Sequence, residues 1–169
     1  MFLVALAVAF APPGVRVLPH TRRVPPPMLL SDEPKPTAAE LLGRTTPAVL
    51  AYLGDAIFEK RVREWLLWPP QKLNMLTKRA QRLVCAEGQE ALLNRLVSDF
   101  PLSEEETDWL RRGRNGSGRG PARVSPATYR AATSFECLLG YLHYSDPARL
   151  EHVLDFVMDA AAALEEEQR

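Results

Sequence analysis

The chain has 169 residues, 46% of them apolar and 25% charged, with 21 basic and 21 acidic side chains and a formal net charge of zero. That balance fits one globular domain with a sizeable core and excludes a generally basic protein that coats nucleic acid with its whole surface. Two cysteines, Cys85 and Cys137, are too few for a disulfide framework or a cysteine zinc site, and His20, His143 and His152 show no ligand spacing.

Residues 1–36 read as a targeting leader and linker. Met1 to Ala11 is an apolar run, too short to span a bilayer but as long as a signal-peptide core. Ala7-Val8-Ala9 is a small-residue cleavage site that would leave Phe10 as the new terminus, and an acid-free stretch with Arg16, Arg22 and Arg23 follows. The segment resembles the bipartite leaders of plastids with extra bounding membranes. It predicts a mature protein in the plastid stroma, free of the membrane; a Pro-rich N-terminal arm on a cytoplasmic protein is the alternative. Prolines at 25, 26, 27, 34 and 36 mark the linker. From residue 32 onward 18 basic residues face 21 acids, a net charge of −3, so a polyanion would have to be held by a local patch.

Residues 37–166 are expected to form one all-α domain, with 167–169 as a tail. Thr37 with Glu40 and Ser103 with Glu106 have the spacing of capping boxes. Thr46-Pro47, Ser125-Pro126 and Asp146-Pro147 each put a capping residue before a proline at the first helical position. Between these starts apolar residues recur at three and four, the period of a buried helical face. Leu50, Leu53, Ile57, Arg61 and Trp65 form the expected inward row of the first long helix, which Pro69-Pro70 stops. A long helix or a helix pair is predicted over about 72–98, with Leu76, Leu83, Leu92, Leu93 and Leu96 in the core. A short helix over 103–112 should run into a loop of arginines and glycines, Arg111 to Gly120. Helices over about 126–144 and 147–166 complete the set, and Glu165-Glu166-Glu167 reads as a solvated end.

Two of these helices carry acids inside apolar patterns. Asp55 and Glu59, four apart, share a face of the first; Glu136 shares a face of the later one with Tyr129, Ala132, Thr133 and Gly140. A carboxylate in such a place is costly unless it meets a cation. Two that approach each other repel unless a cation lies between them, and Mg²⁺, which takes oxygen ligands and keeps waters, is the natural one. Spacing alone leaves a second reading equally open, in which Asp55 and Glu136 pair with Arg61, Arg63 or Arg130. Between Asp108 and Glu136 there are six arginines, at 111, 112, 114, 119, 123 and 130, and no acid. Arginine suits bidentate phosphate contacts, and glycines at 113, 116, 118 and 120 would let the backbone bend close to a phosphate chain. Lys78, Arg79 and Arg82 are weaker candidates for the same surface.

Leu50-Ala51-Tyr52-Leu53-Gly54-Asp55-Ala56, Glu59, Val62-Arg63-Glu64, Arg111-Arg112-Gly113-Arg114-Asn115, Tyr129-Arg130 and Ser134-Phe135-Glu136-Cys137-Leu138-Leu139-Gly140 together resemble the ribonuclease III catalytic domain, most of all its short class, Mini-ribonuclease III. The resemblance covers about residues 44–164. It implies an all-α, homodimeric, Mg²⁺-dependent endoribonuclease for double-stranded RNA, with Mn²⁺ able to substitute, and a role in maturing precursor 23S ribosomal RNA. A non-catalytic RNA-binding or ribosome-associated protein of the same fold is the alternative. Asp55 and Glu136 match the family's metal-binding catalytic acids. Ala48 and Thr133 stand where full-length members carry two further acids, a reduced set that the short class shares. Glu59 and Thr133 are the candidates for supporting the acids. Arg111, Arg112, Arg114, Asn115, Arg119, Arg123 and Arg130 are the candidates for contacting RNA.

Overall fold

A computed structural model describes residues 36–167. The leader expected over 1–36 lies outside them but for its last proline. The helices of the described residues belong to the unit Lys35–Arg169: α1 (Ala38–Arg44), α2 (Pro47–Leu66), α3 (Leu73–Val84), α4 (Ala86–Asp99), α5 (Glu104–Gly116), α6 (Pro126–Ser145) and α7 (Pro147–Glu167). No strand occurs among the described residues.

The caps predicted from sequence form the helix starts. Thr37 Oγ1 accepts from the Glu40 N–H at 3.3 Å while Glu40 returns a carboxylate oxygen to the Thr37 N–H at 2.9 Å. Ser103 and Glu106 do the same at α5, at 3.1 and 2.7 Å. Thr46 and Ser125 cap α2 and α6 ahead of their prolines, and the Asp146 carboxylate accepts from the Arg149 N–H at 2.9 Å to open α7. The stretch over 72–98 is a pair of helices. Cys85, at ψ 161°, breaks it, and Gly88 lets α4 turn back sharply. A Cβ there would fall 2.2 Å from the Arg82 carbonyl oxygen.

Helix α6 is the hub. Eleven of its residues are buried, as expected of a helix apolar all round, and α2, α4 and α5 pack against it. Phe58 meets Phe135 edge to face at 5.1 Å between ring centres. The inward row of α2 lies one step from the predicted one. Leu50, Ala51, Gly54, Phe58, Val62 and Leu66 are buried, whereas Leu53, Ile57, Arg61 and Trp65 are half-buried on its flank. Ala51 and Gly54 turn this stripe inward because small residues allow α6 its closest approach.

Two other expectations change. Helix α5 does not stop near 112; it continues to Gly116 because Gly113 packs against α6, where a Cβ would lie 2.6 Å from the Cys137 Cβ. Ser134 Oγ donates to the Leu110 carbonyl at 2.6 Å across the same contact. Nor is the acidic tail merely solvated. Glu165 accepts from Arg79 Nε at 3.0 Å and Nη2 at 2.6 Å, and Glu167 from Arg95 at 2.9 Å, so the end of α7 is fastened to α3 and α4.

The Glu106 side chain, 5% exposed, accepts from Arg149 Nε at 2.7 Å as well as from the Ser103 N–H. Burial pushes its pKa up, but the Arg149 and Ser103 hydrogen bonds outweigh burial and hold it below the ordinary 4.5. A depressed carboxylate stabilises the fold above its unfolded pKa and loses that contribution as pH falls through the folded value. Glu106→Gln should therefore lower stability at pH 7 by about 2 kcal/mol. Its deficit should shrink below pH 4, as read by urea unfolding at both pH values.

Candidate active site

The site follows from a helix crossing without side-chain spacers. A Cβ on Gly54 would sit 1.8 Å from the Glu136 carbonyl oxygen, and one on Gly140 would sit 2.1 Å from the Leu50 carbonyl oxygen. Helices α2 and α6 therefore touch backbone to backbone at two points, and the next residue along α2 from one of these points is Asp55. The crossing brings the Asp55 and Glu136 carboxylates within each other's field. Burial, then the charge of Asp55, pushes Glu136 up to about 7. Burial, then the charge of Glu59, also raises Asp55, while Gln89 and Arg63 pull it back.

Neither acid has an ion pair among the described residues. Arg61 bridges to Glu151 at 3.1 Å and to Asp155. Arg63 holds Glu59 at 2.7 Å, and Arg130 is exposed. Neither acid is therefore in an ion pair with Arg61, Arg63 or Arg130, although the Arg63 charge lowers Asp55. Glu59, one turn beyond Asp55, is engaged with Arg63, and Thr133 is buried one turn before Glu136. Among the described residues no three His, Cys, Asp or Glu side chains stand so that they could hold a metal ion together. Two carboxylates outside any ion pair form an all-oxygen donor set, which suits a hard divalent cation that keeps several waters.

Gln89, in the first turn of α4, is a third member of the site that sequence reading missed. It is 2% exposed. Its Nε2 donates to the Val84 carbonyl at 3.2 Å, and its amide works against the upward shifts of Asp55 and Glu136. Its Oε1 is buried without a partner, a state that opposes folding by about 1–3 kcal/mol. The signal was present in the sequence. Gln89 starts the row continued by Leu92, Leu93 and Leu96, a polar side chain at a core position.

The arginine segment divides in two. Arg111 and Arg112 lie on α5 and both reach back to Asp108, each at 2.5 Å; Arg112 also lies 4.8 Å from the centre of the Trp109 ring. Arg114, Arg119, Arg123 and Arg130 are exposed and have no ion pair among the described residues, and Asn115 is exposed as well. Three of the four glycines serve internal packing. Gly113 faces Cys137, Gly116 faces Pro47, and a Cβ on Gly120 would fall 2.5 Å from the Tyr129 ring; only Gly118 is open on all sides. Lys78 is exposed, but Arg79 is tied to Glu165 and stacks 5.6 Å from the centre of the Trp65 ring.

Known proteins match the same stretch of chain. The family of the Ribonuclease III domain matches residues 48–147, which include both acids. The Mini-ribonuclease 3 of Gloeobacter violaceus is 50% identical over 105 residues, 62% of this chain and 76% of that protein. The Mini-ribonuclease 3 of Synechocystis is 38% identical over 122 residues, 72% of this chain and 84% of that one. A crystal structure of a Fusobacterium nucleatum protein, 23% identical, shares the fold with a TM-score of 0.62 over 70% of this chain and 96% of its own. The all-α fold of the described residues, the domain match and these relatives lead to one assignment: the chain belongs to the ribonuclease III family, on its Mini-ribonuclease 3 branch, and is an endoribonuclease of the ribonuclease III type.

Proposed function

We propose that Asp55 and Glu136 hold Mg²⁺, for which Mn²⁺ can substitute, and that the enzyme cuts double-stranded RNA. The observation that carries this reading is the pair of carboxylates at the glycine crossing, with the Asp55 charge raising Glu136 and neither acid in an ion pair among the described residues. When bound, the cation would lower the pKa of a water and stabilise the charge that develops on the phosphodiester. The protein's own residues do the remaining work. Gly54 and Gly140 fix the distance between the helices that bear the acids. Glu59 and Thr133 stand one turn from each acid. Arg114, Arg119, Arg123 and Arg130, with Asn115, take phosphates, and Arg111 and Arg112 join them by exchanging Asp108 for RNA. Contacts of this kind fix position without reading sequence, and duplex RNA is recognised chiefly by its shape, phosphates and 2′-hydroxyls.

The working unit is a homodimer, each subunit cutting one strand. Tyr52, 82% exposed, and Val49, 57% exposed, give α2 an apolar surface that a second copy would cover. The natural substrate is precursor 23S ribosomal RNA of a plastid, a reading supported by the leader-like sequence and by the family resemblance.

The test uses the full chain with generic duplex RNA, single-stranded RNA and a plastid 23S precursor, each in Mg²⁺, Ca²⁺ or EDTA. Duplex is cut in Mg²⁺ alone, single strands are spared, and the precursor is cut fastest. Cleavage that persists in EDTA would overturn the metal assignment, and equal cutting of single strands would overturn the duplex assignment.

A further inference from the structure

We propose that Asp108 is a positioning residue of the RNA-binding face: its single carboxylate occupies Arg111 and Arg112 as a backbone phosphate would, so that RNA must compete with it for both arginines. The proposal rests on the reading of Arg111 and Arg112 as phosphate contacts.

Three observations carry it. First, one acid serves two arginines. Asp108 Oδ1 accepts from Arg111 Nη2 at 2.5 Å and from Arg111 Nε at 3.1 Å, and Oδ2 accepts from Arg112 Nε at 2.5 Å. This is the pattern of an anion held by guanidinium groups, and it brings together two like charges that would otherwise repel. The Arg111 hydrogen bonds, then that of Arg112, hold the Asp108 carboxyl below its ordinary 3.8, so the acid is charged and competes at neutral pH. Second, the contact is open to exchange. The side chains of Arg111 and Arg112 are 67% and 52% exposed, and that of Asp108 31%. Ion pairs so exposed add little to the stability of a fold, and their partners can change without disturbing the core. Arg112 keeps a second support meanwhile, the face of the Trp109 ring. Third, Asp108 stands at the border of the arginine segment. Residues 109–135 hold six arginines and no acid. Of those six, only Arg111 and Arg112 have an ion pair among the described residues. On a face that attracts a polyanion, a carboxylate across two arginines subtracts directly from that attraction.

Asp108→Asn keeps the size of the side chain and removes its charge. The experiment compares the full chain with Asp108→Asn, Asp108→Glu and the double variant Arg111→Gln/Arg112→Gln. It measures melting temperature and the affinity for generic duplex RNA in EDTA, between about 50 and 200 mM KCl. Asp108→Asn should bind about fivefold more tightly at the lowest salt, and its plot of log affinity against log salt should be steeper by about one, because the face gains one net positive charge. Asp108→Glu, which keeps the charge, should bind within about twofold of the parent, and the double variant about tenfold more weakly. Parental affinity and slope for Asp108→Asn would overturn the proposal. Weaker binding would overturn it too, because the acid would then be a support that the arginines need. The melting temperature of Asp108→Asn should stay within about 3 °C of the parent; a larger fall would overturn the proposal, because the acid would then belong to the fold. If the double variant binds as tightly as the parent, the reading of the two arginines is itself wrong. If the double variant binds weakly while Asp108→Asn is unchanged, only the role of Asp108 falls.

Discussion

Gly54→Ala should destabilise the protein by about 3 kcal/mol or more and abolish cleavage, the largest loss of stability expected from a single methyl group in this chain. The added Cβ would fall 1.8 Å from the Glu136 carbonyl oxygen and 2.7 Å from its carbonyl carbon. These are backbone atoms of the hub helix, so no side-chain rotation relieves the clash and α2 must move off α6. That movement opens the contact between Phe58 and Phe135 and draws Asp55 away from Glu136. Gly140→Ala should act in the same way through the Leu50 carbonyl, 2.1 Å from its new Cβ. The two changes should not add, because the first already separates the helices that the second would separate. Urea unfolding of the single and double variants measures this. A loss under about 1 kcal/mol with cleavage retained would mean that the helices do not meet through their backbones.

What the sequence could reveal was local. Caps at Thr37, Thr46, Ser103, Ser125 and Asp146 are set by a few neighbouring atoms, and they appear in the fold as read. The acids stood out because a charge in an apolar helical row has few uses. The misread features all depend on partners distant in the chain. The buried stripe of α2 is set by where α6 can come closest, and only the partner helix reveals that Gly54 marks the place. Helix α5 runs on past 112 because Gly113 has Ser134 and Cys137 to pack against. Glu165 finds Arg79 from 86 residues away. Gln89 gave a signal, a polar side chain in a leucine row, but its meaning required the corner at Cys85 that turns it toward the acids. A tetrad of acids was never needed to recognise the site. A crossing too tight for any side chain but glycine's, with a carboxylate outside any ion pair on each helix, marks it physically.

Glu136→Gln should abolish cleavage and yet make the metal-free protein more stable at pH 8. Burial and the neighbouring Asp55 charge push the Glu136 pKa from 4.5 up to about 7. The folded state therefore binds more protons than the unfolded chain between those values, and stability falls as pH rises through that window. The gap corresponds to about 3 kcal/mol, present as strain above pH 7 and absent below pH 4.5. Glutamine does not titrate, so the variant should match the parent at pH 4 and exceed it by up to that amount at pH 8. Mg²⁺ should reverse the order. A ligand that binds only the folded parent stabilises it by mass action, and the variant has lost half of the carboxylate pair. Urea unfolding of both proteins at pH 4 and pH 8, with and without Mg²⁺, separates the contributions. Equal stability at pH 8 without metal would mean that the carboxylates do not strain the fold, and cleavage by the variant would mean that Glu136 does not serve the reaction. The strain and the chemistry have one source: the crossing that makes two carboxylates unfavourable in the empty protein is what prepares them for a cation.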